Sequence, residues 1–192
     1  MDSLFGLKGK DFVVVVAETT VNHSIFKLKT RHEKTISFND RCVASFSGDH
    51  ADRCNFGAYV RQNIAFSRFK NGRELTIDEI ANFTRTNLAE ALRKQPYQVN
   101  TLIGGVDKKG PQLYWLDYLG TMTEVNYGAH GHAAYFVSSI LSNSLTPDID
   151  QKGALEIIKT AIRELHTRFI VAQNNFSVKV IDKNGISVIN LE

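Results

Sequence analysis

LFGLKGKDFVVVVAETT, residues 4–20, contains two extended segments separated by the turn sequence Gly9-Lys10-Asp11. The second segment holds an unbroken apolar run, residues 12–17, and lacks the alternation of a strand that faces water on one side. A strand of this kind is covered on both faces. We therefore predict a layered fold in which other elements pack above and below the sheet that contains this run.

The rest of the chain consists of blocks of strands that alternate with pairs of helices. Apolar patterns and turn signals predict strands at residues 4–8, 12–17, 35–38, 42–46, 99–106, 112–117, 121–127, 176–182 and 185–191. Helices are predicted at residues 49–69, after Thr76, at residues 131–143 and after Asp150. Residues 99–127 are expected to form an antiparallel meander. Because the blocks do not follow the strict alternation of a doubly wound sheet, the predicted class is α+β, with largely antiparallel sheets covered by helix pairs in a single domain, 1–192.

Local signals indicate where the helices begin and which face each one buries. Thr76 and Glu79 have the spacing of a capping box, in which each side chain satisfies a backbone amide of the first turn. The helix at residues 49–69 is predicted to pack through a narrow face of small residues, namely Ala51, Cys54, Ala58 and Ala65. The last helix has one apolar stripe, formed by Ala154, Ile157, Ile158, Ala161, Ile162, Leu165 and Phe169.

Composition excludes several classes of protein. The 23 basic and 20 acidic residues give a net charge of only +3, and the basic residues are scattered, so a nucleic-acid partner is not expected. The longest aliphatic run, residues 13–17, is too short to span a bilayer, and the amino terminus lacks the pattern of a secretory signal. Two cysteines do not form a disulfide framework, which favours a reducing compartment. We expect a soluble, unsecreted protein.

Several motifs resemble those of proteasome β-type subunits, and the resemblance covers nearly the whole chain. They are the opening LFGLKGKDFVVVVAETT, the lysine before a strand at Lys34-Thr35-Ile36, FSGDHADR from Phe46, PYQVNTLIGG from Pro96, LDYLGT from Leu116 and YGAHG from Tyr127. The last three are most similar to the member at the fourth β position of the eukaryotic ring, which does not cut peptides.

This resemblance implies a fold, partners and a cellular role. The implied fold is the four-layer αββα sandwich of N-terminal nucleophile hydrolases, with two antiparallel sheets between helix pairs. The implied role is that of a non-catalytic structural subunit of the 20S core, which acts in ubiquitin- and ATP-dependent protein degradation. The implied partners are other α and β subunits in a 28-subunit hetero-oligomer of the cytoplasm and nucleus. No cofactor, metal, nucleic acid, membrane or small-molecule substrate of its own is expected.

The prediction that the chain is inactive depends on Asp2. Active members of the family attack the peptide carbonyl with the hydroxyl of an N-terminal threonine, whose own α-amino group serves as the base. Here Asp2 corresponds to that threonine and follows Met1, and no propeptide is expected. An aspartate has no hydroxyl, and with Met1 attached it has no free amine. We therefore expect no peptidase activity.

Other positions of the family's catalytic constellation are retained in part. Lys34 matches the lysine that depresses the pKa of the amine, and Glu18 stands where an aspartate partners that lysine. Gly48 matches the glycine whose amide helps to form the oxyanion hole. By contrast, His130 replaces a supporting serine and Phe169 replaces a supporting aspartate. The expected role of Lys34 and Glu18 is structural, as a partly buried ion pair on neighbouring strands.

Three other interpretations of the sequence are less favoured. A free-standing amidase of the same fold would use Ser3 or Cys42 as its nucleophile, with His50 or His23 as a base for Cys42, but a lone cysteine in a strand is usually a core residue. His130 and His132 flank Gly131 with no third ligand in sequence, so they are expected to lie in a loop and helix start rather than at a metal. Gly104-Gly105 lacks the spacing of a phosphate-binding loop and is expected to relieve crowding in a strand or bulge.

Overall fold

The computed structural model describes residues 2–23, 26–170 and 173–191, which form twelve strands and four helices. The strands are β1 Ser3–Lys8, β2 Val13–Glu18, β3 Val21–His23, β4 Phe26–Lys29, β5 Thr35–Asn39, β6 Cys42–Gly48, β7 Val99–Asp107, β8 Gly110–Leu116, β9 Met122–Glu124, β10 Tyr127–Gly131, β11 Phe176–Asp182 and β12 Gly185–Ile189. The helices are α1 His50–Asn71, α2 Ile77–Ala91, α3 Ala133–Ser144 and α4 Gln151–Arg168. None of the four helices is long and apolar enough to cross a bilayer.

Two five-stranded antiparallel sheets form the centre of the molecule. The first has the strand order β10-β1-β2-β11-β12, and the second has the order β5-β6-β7-β8-β9. Apolar side chains of β1, β2 and β11 meet those of β6, β7 and β8 in a core between the sheets. A second core lies between the first sheet and α3 and α4, and a third lies between the second sheet and α1 and α2. The predicted four-layer αββα architecture is therefore confirmed.

β2 is buried on both faces, as its unbroken apolar run predicts. Every residue of the strand is buried. Val13 and Val15 face the opposite sheet, whereas Val14 and Val16 face α3 and α4. Burying each of these side chains stabilises the fold by roughly 1.5 kcal/mol or more relative to leaving it exposed.

The predicted start of α2 is confirmed, but the predicted packing face of α1 is wrong. The Thr76 hydroxyl accepts from the Glu79 amide, and the Glu79 carboxylate accepts from the Thr76 amide. In α1 the buried face consists of Arg53, Phe56, Gly57, Val60 and Ile64. The four small residues of the predicted face, Ala51, Cys54, Ala58 and Ala65, are exposed. The face with aromatic and branched residues faces the core because it removes more apolar area from water than a row of alanines does.

The predicted meander of residues 99–127 is also partly wrong. β7, β8 and β9 do form a meander, but β9 ends at Glu124, and the chain then crosses to the other sheet, where β10 pairs with β1. This crossing gives β1 a partner on its outer edge, which would otherwise present unpaired backbone groups. His130 therefore lies in a strand rather than in the predicted loop, and α3 begins at Ala133.

The hairpin of β3 and β4 was not predicted. It forms a separate two-stranded sheet. Each residue of β4 is exposed, so the segment has no buried face that an apolar pattern could reveal. The closing hairpin of β11 and β12, by contrast, forms where the turn sequence at residues 182–185 predicts it.

Candidate functional site

A buried lysine lies at one end of the space between the two sheets. The Lys34 ammonium donates hydrogen bonds to Asp2 Oδ1, Glu18 Oε2 and the Thr20 carbonyl, each at 2.6 Å. Its side chain and that of Glu18 are 1% and 0% exposed. The predicted ion pair is present, but it is fully buried and joins two sheets rather than neighbouring strands of one. Glu18 ends β2 in the first sheet, and Lys34 precedes β5 in the second.

Asp2 occupies the centre of the same cluster. While Oδ1 accepts from Lys34, Oδ2 accepts from the Gly48 amide and from the Arg53 guanidinium, both at 3.2 Å. Gly48 has a φ of +124°, and a Cβ at this position would lie 1.9 Å from the Gln98 carbonyl oxygen. Only glycine fits here, and its conformation directs the amide at the carboxylate.

The charges of the cluster balance. Asp2 and Glu18 supply two negative charges, and Lys34 and Arg53 supply two positive charges. Burial raises the pKa of the Asp2 carboxyl, but the charges of Lys34 and Arg53 and the hydrogen bond from Lys34 outweigh it, so this pKa lies below its ordinary value. Asp2 is therefore an ionised acceptor held by three donors. A group in this state stabilises the cluster, and its carboxylate has no hydroxyl with which to attack a carbonyl.

Similarity to known proteins identifies the family to which this chain belongs. The sequence profile described as proteasome subunit matches residues 2–181. The chain belongs to the proteasome subunit family. It is 38% identical over 186 residues to proteasome subunit beta type-2-B of Arabidopsis thaliana, covering 96% of this chain and 94% of that one. It is also 35% identical over 189 residues to proteasome subunit beta type-4 of Saccharomyces cerevisiae, covering 97% and 96%. The predicted membership among β-type subunits is confirmed.

His130 of this proteasome subunit bonds a backbone carbonyl and none of the charged groups of the cluster among the described residues. Its ring is buried, approaches the Thr101 carbonyl at 3.1 Å through Nε2 and stacks on Trp115 at 4.6 Å between ring centroids. Burial lowers the pKa of His130 to about 4, so the ring is neutral at physiological pH. Because the carbonyl can only accept, Nε2 carries the ring proton. The histidine therefore serves the packing of β10 against the second sheet.

Phe169 makes aromatic contacts. It caps the carboxyl end of α4, and its ring packs on His132 at 4.9 Å and on Phe136 at 5.8 Å. These contacts tie the end of α4 to α3. The structure thus brings together Asp2, Glu18, Lys34 and Gly48 of the six candidate positions, and it gives the other two apolar and aromatic surroundings.

The geometry disfavours the side-chain nucleophiles of an amidase. Cys42 is buried in β6, and burial, with a smaller contribution from Asp107, raises the pKa of its thiol. His50 lies 4.0 Å from the sulfur of Cys54 instead, and the side chain of His23 lies outside the described residues. The Ser3 hydroxyl is buried and has no hydrogen-bond partner among the described residues, so no base activates it there.

Sequence reasoning missed two members of the cluster, Arg53 and Thr20. Arg53 lies in the first turn of α1, where a charged residue is ordinarily solvated, and only the tertiary position of Asp2 explains its burial. Thr20 contributes through its backbone carbonyl, which leaves no mark on the choice of side chain. The one available signal for Arg53 was its place in the motif FSGDHADR.

Proposed function

We propose that this proteasome subunit is a non-catalytic member of the β ring of the 20S core and that it builds the wall of the proteolytic chamber. The main support for this proposal is that the Asp2 carboxylate simultaneously accepts hydrogen bonds from Lys34, Arg53 and the Gly48 amide. In the active arrangement these positions serve a nucleophile and an oxyanion. Here the ionised Asp2 carboxylate occupies these donors.

Two physical effects support the absence of catalysis. An oxyanion that formed beside Gly48 would compete with the Asp2 carboxylate for the same amide, and the two negative charges would repel each other. In addition, the loss of a nucleophile costs orders of magnitude in rate even when the donors of an oxyanion hole survive. Lys34 and Gly48 are therefore retained as structure.

The proposal extends to the assembly. We infer that the chain occupies one place in a 28-subunit particle of α and β subunits, found in cytoplasm and nucleus, which degrades proteins in a ubiquitin- and ATP-dependent manner. The similarity to beta type-2 and beta type-4 subunits over nearly the whole chain supports assembly with other proteasome subunits. A ring of non-identical subunits requires heterologous contacts that distinguish each neighbour.

A covalent probe tests the catalytic part of the proposal. The endogenous particle is treated with a threonine-directed inhibitor and the subunits are separated by mass. We expect adducts on other β subunits, which serve as the internal positive control, and no adduct on this chain. A stoichiometric adduct on this chain would show that it retains a working nucleophile.

Native mass spectrometry tests the structural part. The endogenous chain, carrying an affinity tag, should be recovered in a particle with the mass of a four-ring core. Recovery only as a monomer or a homo-oligomer would contradict the proposed role.

A further inference from the structure

Three metal-ligating side chains converge beside the Asp2 cluster, although the sequence predicted no metal. They are His32, from the loop before β5, and His50 and Cys54, from the first turns of α1. Their donor atoms all lie within 4.8 Å of one another. His32 is half-buried and the other two are exposed, so a solvated ion can reach all three.

The spacing of the donors is close to that of a tetrahedral site. His50 and Cys54 are four residues apart on one face of α1, with 4.0 Å between Nε2 and Sγ. The rings of His32 and His50 lie 5.4 Å apart between centroids. In a tetrahedral zinc site, metal–ligand bonds of about 2.0–2.3 Å place neighbouring donors roughly 3.3–3.6 Å apart. Rotation of the exposed His50 and Cys54 side chains would bring the donors to this spacing.

We propose that His32, His50 and Cys54 bind a divalent zinc-class cation, with the fourth tetrahedral position open to solvent. Two imidazoles and one thiolate form a donor set that suits Zn²⁺, whereas Mg²⁺ and Ca²⁺ prefer oxygen. The thiol proton of Cys54 is released to solvent when the sulfur binds.

Arg53 couples this site to the Asp2 cluster. One of its nitrogens donates to His50 Nδ1 at 2.8 Å, and another donates to Asp2. A histidine that binds metal through Nε2 carries its proton on Nδ1 and cannot accept there. Metal binding therefore requires Arg53 to leave His50, while its bond to Asp2 can persist. Arg53→Gln, which offers a carbonyl acceptor to Nδ1, should bind the metal more tightly.

Calorimetric titration of Zn²⁺ into the full-length chain tests the site, with Co²⁺ absorption as a second readout of thiolate ligation. We expect one ion per chain, and affinity at least about tenfold weaker in Cys54→Ser and in His32→Gln. His166→Gln, at an exposed position of α4, is the matched histidine control and should bind as the wild type does. Cys42 is buried and is unchanged in every variant, so the thiolate–cobalt absorption band reports on Cys54. This band should therefore vanish only in Cys54→Ser.

Three outcomes would overturn the proposal. The first is the absence of saturable Zn²⁺ binding by the wild type. The second is an affinity in Cys54→Ser or His32→Gln equal to that of the wild type. The third is weaker binding in a folded Arg53→Gln variant, which would contradict coordination through His50 Nε2.

Discussion

Lys34 is the residue on which the charge balance of the buried cluster depends. Removing its ammonium leaves the carboxylates of Glu18 and Asp2 close together without their shared cation. Breaking a buried ion pair by removing one partner is strongly destabilising, because an uncompensated charge stays behind. We expect Lys34→Met to lower the free energy of unfolding by about 3–5 kcal/mol, measured by urea denaturation of the full-length chain.

The matched control is Lys8→Met. Lys8 pairs with Glu124 at 3.0 Å, but the two side chains are 22% and 47% exposed. A solvated pair of this kind contributes about 1 kcal/mol or less. Equal losses in the two variants would mean that the Lys34 cluster is no more costly to break than a surface pair.

The lowered pKa of the buried His130 ring should make the free energy of unfolding depend on pH. The unfolded chain takes up a proton near the ordinary pKa of 6.5, whereas the folded chain does so only near pH 4, because burial lowers this pKa. The contribution of His130 to stability is therefore complete above pH 6.5 and falls as the pH drops toward 4, by about 1.4 kcal/mol per pH unit.

Urea titrations between pH 7 and pH 4 measure this slope. His130→Gln should flatten it in this window, whereas the exposed-site control His166→Gln should preserve the wild-type slope. An unchanged slope in His130→Gln would assign the acid sensitivity to other groups, such as carboxyls, which in the unfolded chain take up protons near the lower end of this window.

At the scale of single elements, the capping box of α2 is the clearest local determinant. Thr76 and Glu79 exchange hydrogen bonds with each other's backbone amides. Loss of a threonine cap costs about 1 kcal/mol. We expect Thr76→Ala to lower the free energy of unfolding by that amount. Thr86→Ala, at an exposed interior position of the same helix, should cause no loss, because alanine has the higher helix propensity. Similar losses at both positions would rule out a capping effect.

The capping box shows which features of the fold could be predicted from sequence. Its signal lies within four residues, as does that of the turn between β11 and β12. The buried face of α1 was mistaken because small residues and larger apolar residues offered two alternative stripes, and only the second sheet decides between them. The separation of β9 from β10 was missed because β10 pairs with β1, which is distant in the chain.

The candidate site likewise combines residues that could be predicted from the sequence with residues that could not. The resemblance identified Asp2, Glu18, Lys34 and Gly48, which the structure joins by direct hydrogen bonds or through Lys34. Arg53 and the metal-ligating group of His32, His50 and Cys54 could not be predicted, because their contacts arise only when α1 docks beside the loop that carries Lys34. A residue's type reports its local preference, whereas these contacts depend on tertiary placement.

At the scale of the whole molecule, the two sheets are held together by polar groups at one end and by close packing in the middle. In addition to the Lys34 cluster, a second polar contact joins the sheets: the Lys179 ammonium of the first sheet donates a hydrogen bond to the Thr35 hydroxyl of the second. Toward the middle, Gly104 lets the sheets approach closely, as predicted for its strand. A Cβ at Gly104 would lie 2.8 Å from methyl groups of both Val13 and Val15.

Gly104→Ala therefore tests how tightly the sheets are packed. The added methyl group should lower the free energy of unfolding by about 1–3 kcal/mol through overpacking. Val15→Ala removes one of the opposing methyl groups, so the loss in the double variant should be smaller than the sum of the two single losses by at least about 0.5 kcal/mol. Val14→Ala, on the opposite face of β2, is the matched control and should add to Gly104→Ala without coupling. Strict additivity with Val15→Ala in urea unfolding would mean that the sheets yield to the methyl group instead of resisting it.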